Sequence, residues 1–308
     1  GTGGDHQSFI STRAEFSPAA NLASAGIAGF GISLPLHGDR GTSIDPALAS
    51  FNYLNPESAR SCFRQGALDQ VFLSELLTRF SHHFETADGN AHTDPERVAY
   101  MGHSHGGLIG AIATPFFNEA VKAVFLSGAG GGLSTTVVSR DAGDFDIQGI
   151  LEAALDFEES DILVETHPVV GIVQALAEAT DPINYAPYWF SRKPHWDSHP
   201  HSVFMSEGML DVQTPPDTAE ALAAAGSLPI VGTSANISTA HMMSDKALGS
   251  LPTVSNRIAH DGTPVTAGLM QFADEDHFAI FYNEQAARAY LDFLSTALND
   301  DKPRISEP

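Results

Sequence analysis

The chain has 308 residues, of which 43% are apolar and 17% charged, a composition typical of a globular protein of one or two domains. The net charge is −23, from 38 acidic residues against 15 Lys and Arg, so repulsion disfavours nucleic acid and anionic membranes as partners. No apolar run reaches the roughly 18 residues of a membrane span. A single cysteine excludes an internal disulfide and a thiolate metal cluster.

Short apolar runs alternate along the chain with longer segments of helical periodicity. Strands are predicted at 26–38, 97–102, 121–128, 201–208 and 265–273. Helices are predicted at 64–84, 106–117, 215–226 and 283–298. This alternation predicts an α/β fold, with a mostly parallel sheet that carries helices on both faces.

Two segments interrupt the alternation. Residues 133–200 are predicted to form an inserted helical cap, and residues 227–264 a second, loop-like insertion, which leaves 1–132 and 201–308 as the core. The cap contains two predicted helices, 146–157 and 169–179, followed by an aromatic stretch at 184–196. Those aromatic side chains either line an apolar pocket or attach the cap to the core.

The candidate nucleophile is Ser104 in Gly102-His103-Ser104-His105-Gly106, a G-x-S-x-G sequence between a predicted buried strand and a predicted helix. The strand-to-helix turn of this motif exposes the serine hydroxyl, and glycines at Gly102 and Gly106 let the backbone approach closely. The alternative is a glycine-rich phosphate loop, but the stretch lacks a P-loop lysine and the G-x-G-x-x-G spacing.

A serine nucleophile needs a base and an acid that orients the base, in the chain order Ser, acid, His for this turn type. His277 follows the last predicted strand and precedes the last helix, so it is the candidate base. Asp211 follows the strand at 201–208 and is the candidate acid. The competing acids are Glu207 and Asp217, with Asp274, beside the histidine, as a further alternative.

With these motifs the sequence resembles the α/β-hydrolases of the serine esterase and lipase type. LPLHGDRG at 34–41 and DEDHFAIF at 274–281 are similar to a loop and to the histidine segment of that superfamily. FNYLNPESARSCFRQGALD at 51–69 carries a weaker likeness to large secreted bacterial lipase-like hydrolases, where this run would lie between the fourth strand and the next helix.

The resemblance implies an oxyanion hole made of two backbone N–H groups. One would come from His105, after the nucleophile, and the other from Thr2 in the opening Gly1–Gly4 stretch, which the alternative view treats as a disordered terminus. The resemblance also implies that the N-terminal strands of the fold are absent from this sequence, so that either an upstream segment completes the sheet or the missing strand comes from elsewhere.

The implied reaction is cleavage of carboxylic esters through an acyl-enzyme, with a small-molecule or lipid-like ester as substrate and no cofactor or metal. The alternatives are an amidase, peptidase or thioesterase with the same triad, or a non-catalytic binding protein on the same fold. His82 and His83, neighbours within the predicted helix 64–84, point to different faces and predict no metal site. A secreted or periplasmic bacterial location is expected from the family likeness, and the oligomeric state is left open.

Overall fold

The computed structural model describes residues 1–10, 15–86, 89–142, 146–157, 162–243 and 248–307. The strands are β1 (His83–Thr86), β2 (Gly89–His92), β3 (Val98–His103), β4 (Val121–Ser127), β5 (Ser202–Gly208), β6 (Ile230–Val231), β7 (Leu248–Gly249), β8 (Thr253–Val254), β9 (Arg257–Ile258), β10 (Pro264–Val265), β11 (Ala267–Phe272) and β12 (Arg304–Ile305).

The helices are α1 (Pro18–Ser24), α2 (Pro46–Phe51), α3 (Pro56–Arg79), α4 (His105–Ala113), α5 (Leu133–Ser139), α6 (Ile147–Ala154), α7 (Pro168–Ala177), α8 (Pro216–Ala225), α9 (Thr239–Met242), α10 (Ala279–Tyr282) and α11 (Glu284–Asp300). Short 3₁₀ turns lie at Ser8–Ile10, Gly38–Arg40, Thr114–Phe116, Glu178–Thr180, Pro182–Asn184 and Ala186–Tyr188.

A six-stranded parallel sheet forms the centre, in the order β3-β4-β5-β11-β6-β7. The inner strands β5 and β11 are buried along their whole length because helices cover both faces of the sheet. One core cluster packs α3, α4 and α8 against the sheet, and a second packs α1, α10 and α11 against the opposite face. The predicted α/β architecture is therefore confirmed.

The predicted strand at 26–38 is wrong. This segment forms no strand, and within the described residues its one β-bridge joins Leu36 to Gly41. A strand needs a hydrogen-bonded partner, and none of the described strands lies beside this segment. In the same way, β3 has a paired strand on one side only within the described residues.

Helix α3 begins eight residues before the predicted start and ends at Arg79, five before the predicted end. The 51–69 run therefore lies largely in this helix and not ahead of it. The expectation that His82 and His83 lie within a helix is wrong, because the backbone N–H of His82 donates to Thr93 Oγ1 at the base of the β1–β2 hairpin. On α3 itself the side chain of Phe72 is exposed, while the face around Gly66, which includes Phe63, packs against the core.

The segment proposed as a cap, which includes residues 143–145 and 158–161 outside the described part, has a small apolar cluster of its own. The members of this cluster are Val137, Ile147, Leu151, Leu163 and Val170. Its aromatic end behaves differently, since Trp189 and Phe190 are fully buried in the main core, and Trp189 Nε1 donates to the Ala111 carbonyl at 2.9 Å. These two aromatic side chains therefore attach the segment to the core and do not line a pocket.

The 227–264 segment is less loop-like than predicted. Its β6 pairs with β11, and β7 pairs with β6, so the insertion extends the central sheet by two short strands. A strand forms here because Ile230 and Val231 are apolar and both are buried in the core, and removal of apolar side chains from water is favourable. Residues 244–247 of the insertion lie outside the described part.

Candidate active site

Ser104 occupies the sharp turn between β3 and α4. Its φ of 57° and ψ of −126° lie in a region that residues with a side chain seldom adopt. Two hydrogen bonds hold this conformation: the Ser104 N–H donates to the Ser127 carbonyl at 2.8 Å, and the Ser104 carbonyl accepts from the Leu108 N–H at 3.0 Å. A strained residue held this firmly at a strand-to-helix turn is the arrangement expected of a nucleophile elbow.

Of the two motif glycines, only Gly102 has contacts that exclude a side chain. A Cβ at Gly102 would collide with the carbonyl oxygen of Gly106, so the turn closes only with glycine there. A Cβ at Gly106 would meet open space. The carbonyl of Gly106 instead accepts a hydrogen bond from Tyr100 Oη at 2.7 Å, which ties the start of α4 back to β3.

Asp211 and His277 form a buried pair at the carboxyl ends of β5 and β11. His277 Nδ1 lies 2.6 Å from Asp211 Oδ2, and the two side chains are 4% and 2% exposed. Asp211 Oδ1 accepts the backbone N–H groups of Gln213 and Thr214, both at 2.8 Å. Every oxygen of the carboxylate is thus occupied, and the pairing fixes the imidazole ring.

The competing acids lie elsewhere. Asp217 is exposed in the first turn of α8, and Asp274 is exposed in the loop after β11. Glu207 is buried, but its side chain bonds to Gln271. The sequence predicted Asp211 as the acid and His277 as the base, and in the structure these two side chains are in contact.

The second ring nitrogen of His277, Nε2, is buried and has no hydrogen-bond partner among the described residues. The hydrogen bond to Ser104 that a complete triad would contain is therefore not made in this structure. Catalytic hydrogen bonds are often long before substrate binds and shorten in the complex with substrate.

Two further residues place His277 near the nucleophile, and both were missed from the sequence. The ring of His103, which immediately precedes Ser104, lies 4.7 Å from the His277 ring, centroid to centroid. Gly128, directly after β4, has φ of +55°, and a Cβ there would come within 2.9 Å of His277 Cε1. The glycine at the end of the predicted strand 121–128 was the available sequence signal for this close approach.

The opening stretch lies against the nucleophile. A Cβ at Gly1 would stand 3.4 Å from Ser104 Cβ and 3.8 Å from its Oγ, and a Gly4 N–H to Gly1 carbonyl bond of 3.1 Å closes a turn around Thr2. On the other side of the serine, His105 is the first residue of α4, so its N–H has no partner inside the helix. The structure thus places both predicted oxyanion donors on segments that border Ser104.

The side chain of His105 points away into the protein. It is 2% exposed, its ring centroid lies 4.9 Å from those of Phe51 and Phe63, and neither ring nitrogen has a partner among the described residues. Burial lowers its pKa well below the usual value, so the ring is neutral at neutral pH. Phe51 and Phe63 also line a small cavity of about 40 Å³ between α3 and α7.

Within the described ranges, no group of three or more His, Cys, Asp or Glu side chains is arranged to hold a metal ion. None of the helices in those ranges combines the length and apolar character needed to span a bilayer. These findings concern only the part of the chain that the structure describes.

No family model matches the sequence, and no curated protein matches it significantly. Among solved structures, the chain is similar to acetyl xylan esterase 1 of Thermoanaerobacterium sp. JW/SL YS485, with 14% identity, 96% of this chain and 72% of that chain covered, and a TM-score of 0.51. Weaker matches are a monoacylglycerol lipase of Paleococcus ferrophilus (14% identity, 96% and 91% covered, TM-score 0.43) and an alpha/beta fold family hydrolase of Bacillus anthracis str. Sterne (13%, 90% and 86%, TM-score 0.38).

At these identities the likeness concerns the fold alone, and the first match carries it. A parallel sheet with helices on both faces and a strained serine at the strand-to-helix turn agrees with that likeness. The chain therefore has the α/β-hydrolase fold, the fold of the proteins that its sequence motifs resemble.

Proposed function

We propose that this protein is a serine hydrolase that cleaves carboxylic esters through an acyl-enzyme. The observation that carries the proposal is the buried 2.6 Å contact between His277 and Asp211. It lies at the carboxyl ends of the parallel strands, as does the strained turn of Ser104. A buried carboxylate that orients a histidine whose outer nitrogen is unpaired is the arrangement that activates a serine hydroxyl.

In the first step Ser104 Oγ attacks the ester carbonyl carbon while His277 Nε2 takes the hydroxyl proton. The imidazole then carries a positive charge, and Asp211 stabilises it across the short contact to Nδ1. The proton passes from Nε2 to the alcohol oxygen as the ester bond breaks, which leaves the acyl group on Ser104.

The negative charge on the carbonyl oxygen during attack is bound by backbone N–H groups. The N–H of His105 lies at the positive end of α4, and the N–H of Thr2 belongs to the turn that packs against the serine. Water, deprotonated by His277, then attacks the acyl carbon, and His277 returns the proton to Ser104 Oγ as the bond from serine to the acyl group breaks and the acid is released. These steps need only side chains and backbone groups of this chain.

The experiment is hydrolysis of p-nitrophenyl esters graded in acyl length by the wild type, Ser104→Ala and a matched control, Ser61→Ala. Ser61 is exposed on α3, and its hydroxyl donates to the Glu57 carbonyl in the same helix, so this control removes a serine without touching the site. Wild type and control should turn over at least one ester, and Ser104→Ala should show only background rates.

Matched anilide and thioester substrates separate the alternatives. Faster cleavage of the anilide or thioester than of the ester would replace the ester assignment with an amidase, peptidase or thioesterase. Turnover of none of them by a folded wild type would favour the binding protein. Full activity in Ser104→Ala would exclude this serine as nucleophile.

A further inference from the structure

Two buried glutamates, Glu207 and Glu220, lie outside the Asp211–His277 pair. Glu207 is the penultimate residue of β5 and is 3% exposed, and Glu220 lies in α8 and is 0% exposed. Carboxylates are seldom buried without a cation or several hydrogen-bond donors, because transfer of the charge out of water is costly. Neither glutamate takes part in the proposed reaction, so their burial needs another explanation.

Both carboxyl groups converge on one amide. Gln271 Nε2 donates to Glu207 Oε1 at 2.8 Å and lies 3.3 Å from Glu220 Oε1. Gln271 Oε1 accepts the N–H groups of Ala235 and Asn236 at 2.9 and 3.1 Å, which fixes the amide with its nitrogen toward the glutamates.

Each glutamate keeps one oxygen without a donor. Glu220 Oε1 also accepts Asn236 Nδ2 at 2.9 Å, but Oε2 of Glu220 and Oε2 of Glu207 are both buried and have no partner among the described residues. Two buried carboxylates side by side would repel each other, whereas a proton on one of them turns an unpaired acceptor into a donor for the other.

Among the described residues, the charged groups that act on Glu207 are all carboxylates. Asp211, in the loop after β5, and Asp217, on α8, both add repulsion at Glu207. His241, on α9, is the titratable group that acts on Glu220, but burial lowers its pKa and keeps it neutral at neutral pH. Burial, followed by these negative neighbours, raises the pKa of Glu207 well above its usual range.

We propose that Glu207 and Glu220 share a single proton, and that this carboxyl–carboxylate pair, bridged by Gln271, holds together the strand ends that carry the acid and the base. Glu207 and Gln271 are direct cross-strand neighbours of β5 and β11. Asp211 follows Glu207 by four residues, and His277 follows Gln271 by six. The glutamates are thus positioning residues for the site, and loss of the proton creates two adjacent anions that push β5 and α8 apart.

The test is the pH dependence of the urea-unfolding constant for the wild type, Glu207→Gln, Glu220→Gln and the surface control Glu119→Gln. An unfolded glutamate ionises near pH 4.3, roughly, whereas the pair keeps its proton at higher pH. Unfolding above that pH therefore releases one proton. As pH rises, the equilibrium constant for unfolding of the wild type increases about tenfold per pH unit because of this pair. Glu119 is exposed, so its variant should keep the wild-type slope.

Either glutamine variant should reduce the slope by one proton, because a glutamine amide replaces the shared proton as donor. An unchanged slope in Glu207→Gln would overturn the proposal. An unchanged slope in Glu220→Gln would show that Glu207 holds a proton alone and would overturn the sharing. Destabilisation of the wild type by a chelator, reversed by Ca²⁺, would show a cation in place of the proton and would also overturn it.

A second readout concerns positioning and rests on the proposed function. Ester hydrolysis by the wild type should fall reversibly at alkaline pH, and Glu207→Gln should retain activity at least one pH unit higher. Identical alkaline limits in the two proteins would contradict the positioning role. Absence of hydrolysis in every variant would count against the proposed function and leave the unfolding result intact, so the two failures are distinguishable.

Discussion

Replacement of Asp211 by asparagine removes one charge and changes the tautomer of His277. The backbone N–H groups of Gln213 and Thr214 both donate to Oδ1, so the oxygen of an asparagine at this position stays on that side. The new NH₂ group then faces His277 Nδ1 at the place now occupied by Oδ2. A donor there makes Nδ1 the acceptor and puts the ring proton on Nε2, which can no longer take the proton of Ser104.

The size of the effect follows from the 2.6 Å contact between His277 and Asp211. Opposite unit charges at that separation attract by about 6 kcal/mol at an effective dielectric constant of about 20, and asparagine forfeits this during proton transfer. An energy of about 6 kcal/mol in the barrier corresponds to a rate change of about 10⁴-fold. We therefore expect kcat to fall by about 10⁴-fold with little change in KM.

The assay is steady-state hydrolysis of a short p-nitrophenyl ester, with circular dichroism to verify that the variant folds. Asp217→Asn is the matched control, because Asp217 is an exposed acid six residues further along and has no place in the reaction. The control should keep wild-type rates. An Asp211→Asn protein that is folded and keeps a tenth or more of wild-type kcat would refute the assignment of Asp211.

Three substitutions test the packing around the site. Gly128→Ala puts a methyl group within 2.9 Å of His277 Cε1 at a φ of +55°, so kcat should fall by about 100-fold as the ring is displaced, and wild-type kinetics would contradict the contact. Gly102→Ala collides with the Gly106 carbonyl and should lower the free energy of unfolding by about 1 to 3 kcal/mol in urea titrations, whereas an unchanged midpoint would be inconsistent with the turn. His105→Leu removes a buried ring with two unpaired nitrogens and should raise stability by about 1 to 3 kcal/mol. Because the pKa of this buried histidine is lowered, the wild type loses stability as pH falls below about 6.5, so the gain should be larger at pH 5 than at pH 7, and a gain independent of pH would argue against a neutral buried ring.

The sequence predicted the strand ends well because the chemistry there is local. A buried strand, a glycine-flanked serine and a following helix are consecutive in sequence, so Ser104 could be placed without knowledge of the rest of the fold. Asp211 and His277 followed from chain order and from their positions after β5 and β11. Their contact across 66 residues is what the order Ser, acid, His predicts.

Features that depend on residues distant in sequence could not be predicted from local sequence patterns. The 26–38 segment has the composition of a strand, but strand formation depends on a neighbour that no local sequence specifies. The exposure of Phe72 on α3 likewise depends on the fold, because the face around Gly66, where Ile109 packs closely, is the one that meets the core. The Glu207–Glu220 pair joins a strand to a helix through a side-chain amide, which no motif records.

The central claim, that Ser104 is an activated nucleophile, is tested most directly by covalent labelling with a fluorophosphonate followed by peptide mapping. The wild type should take up one equivalent, on the peptide that contains Ser104. Labelling should disappear in Ser104→Ala and persist in Ser61→Ala. A label on any other residue, or none on a folded wild type, would contradict the account.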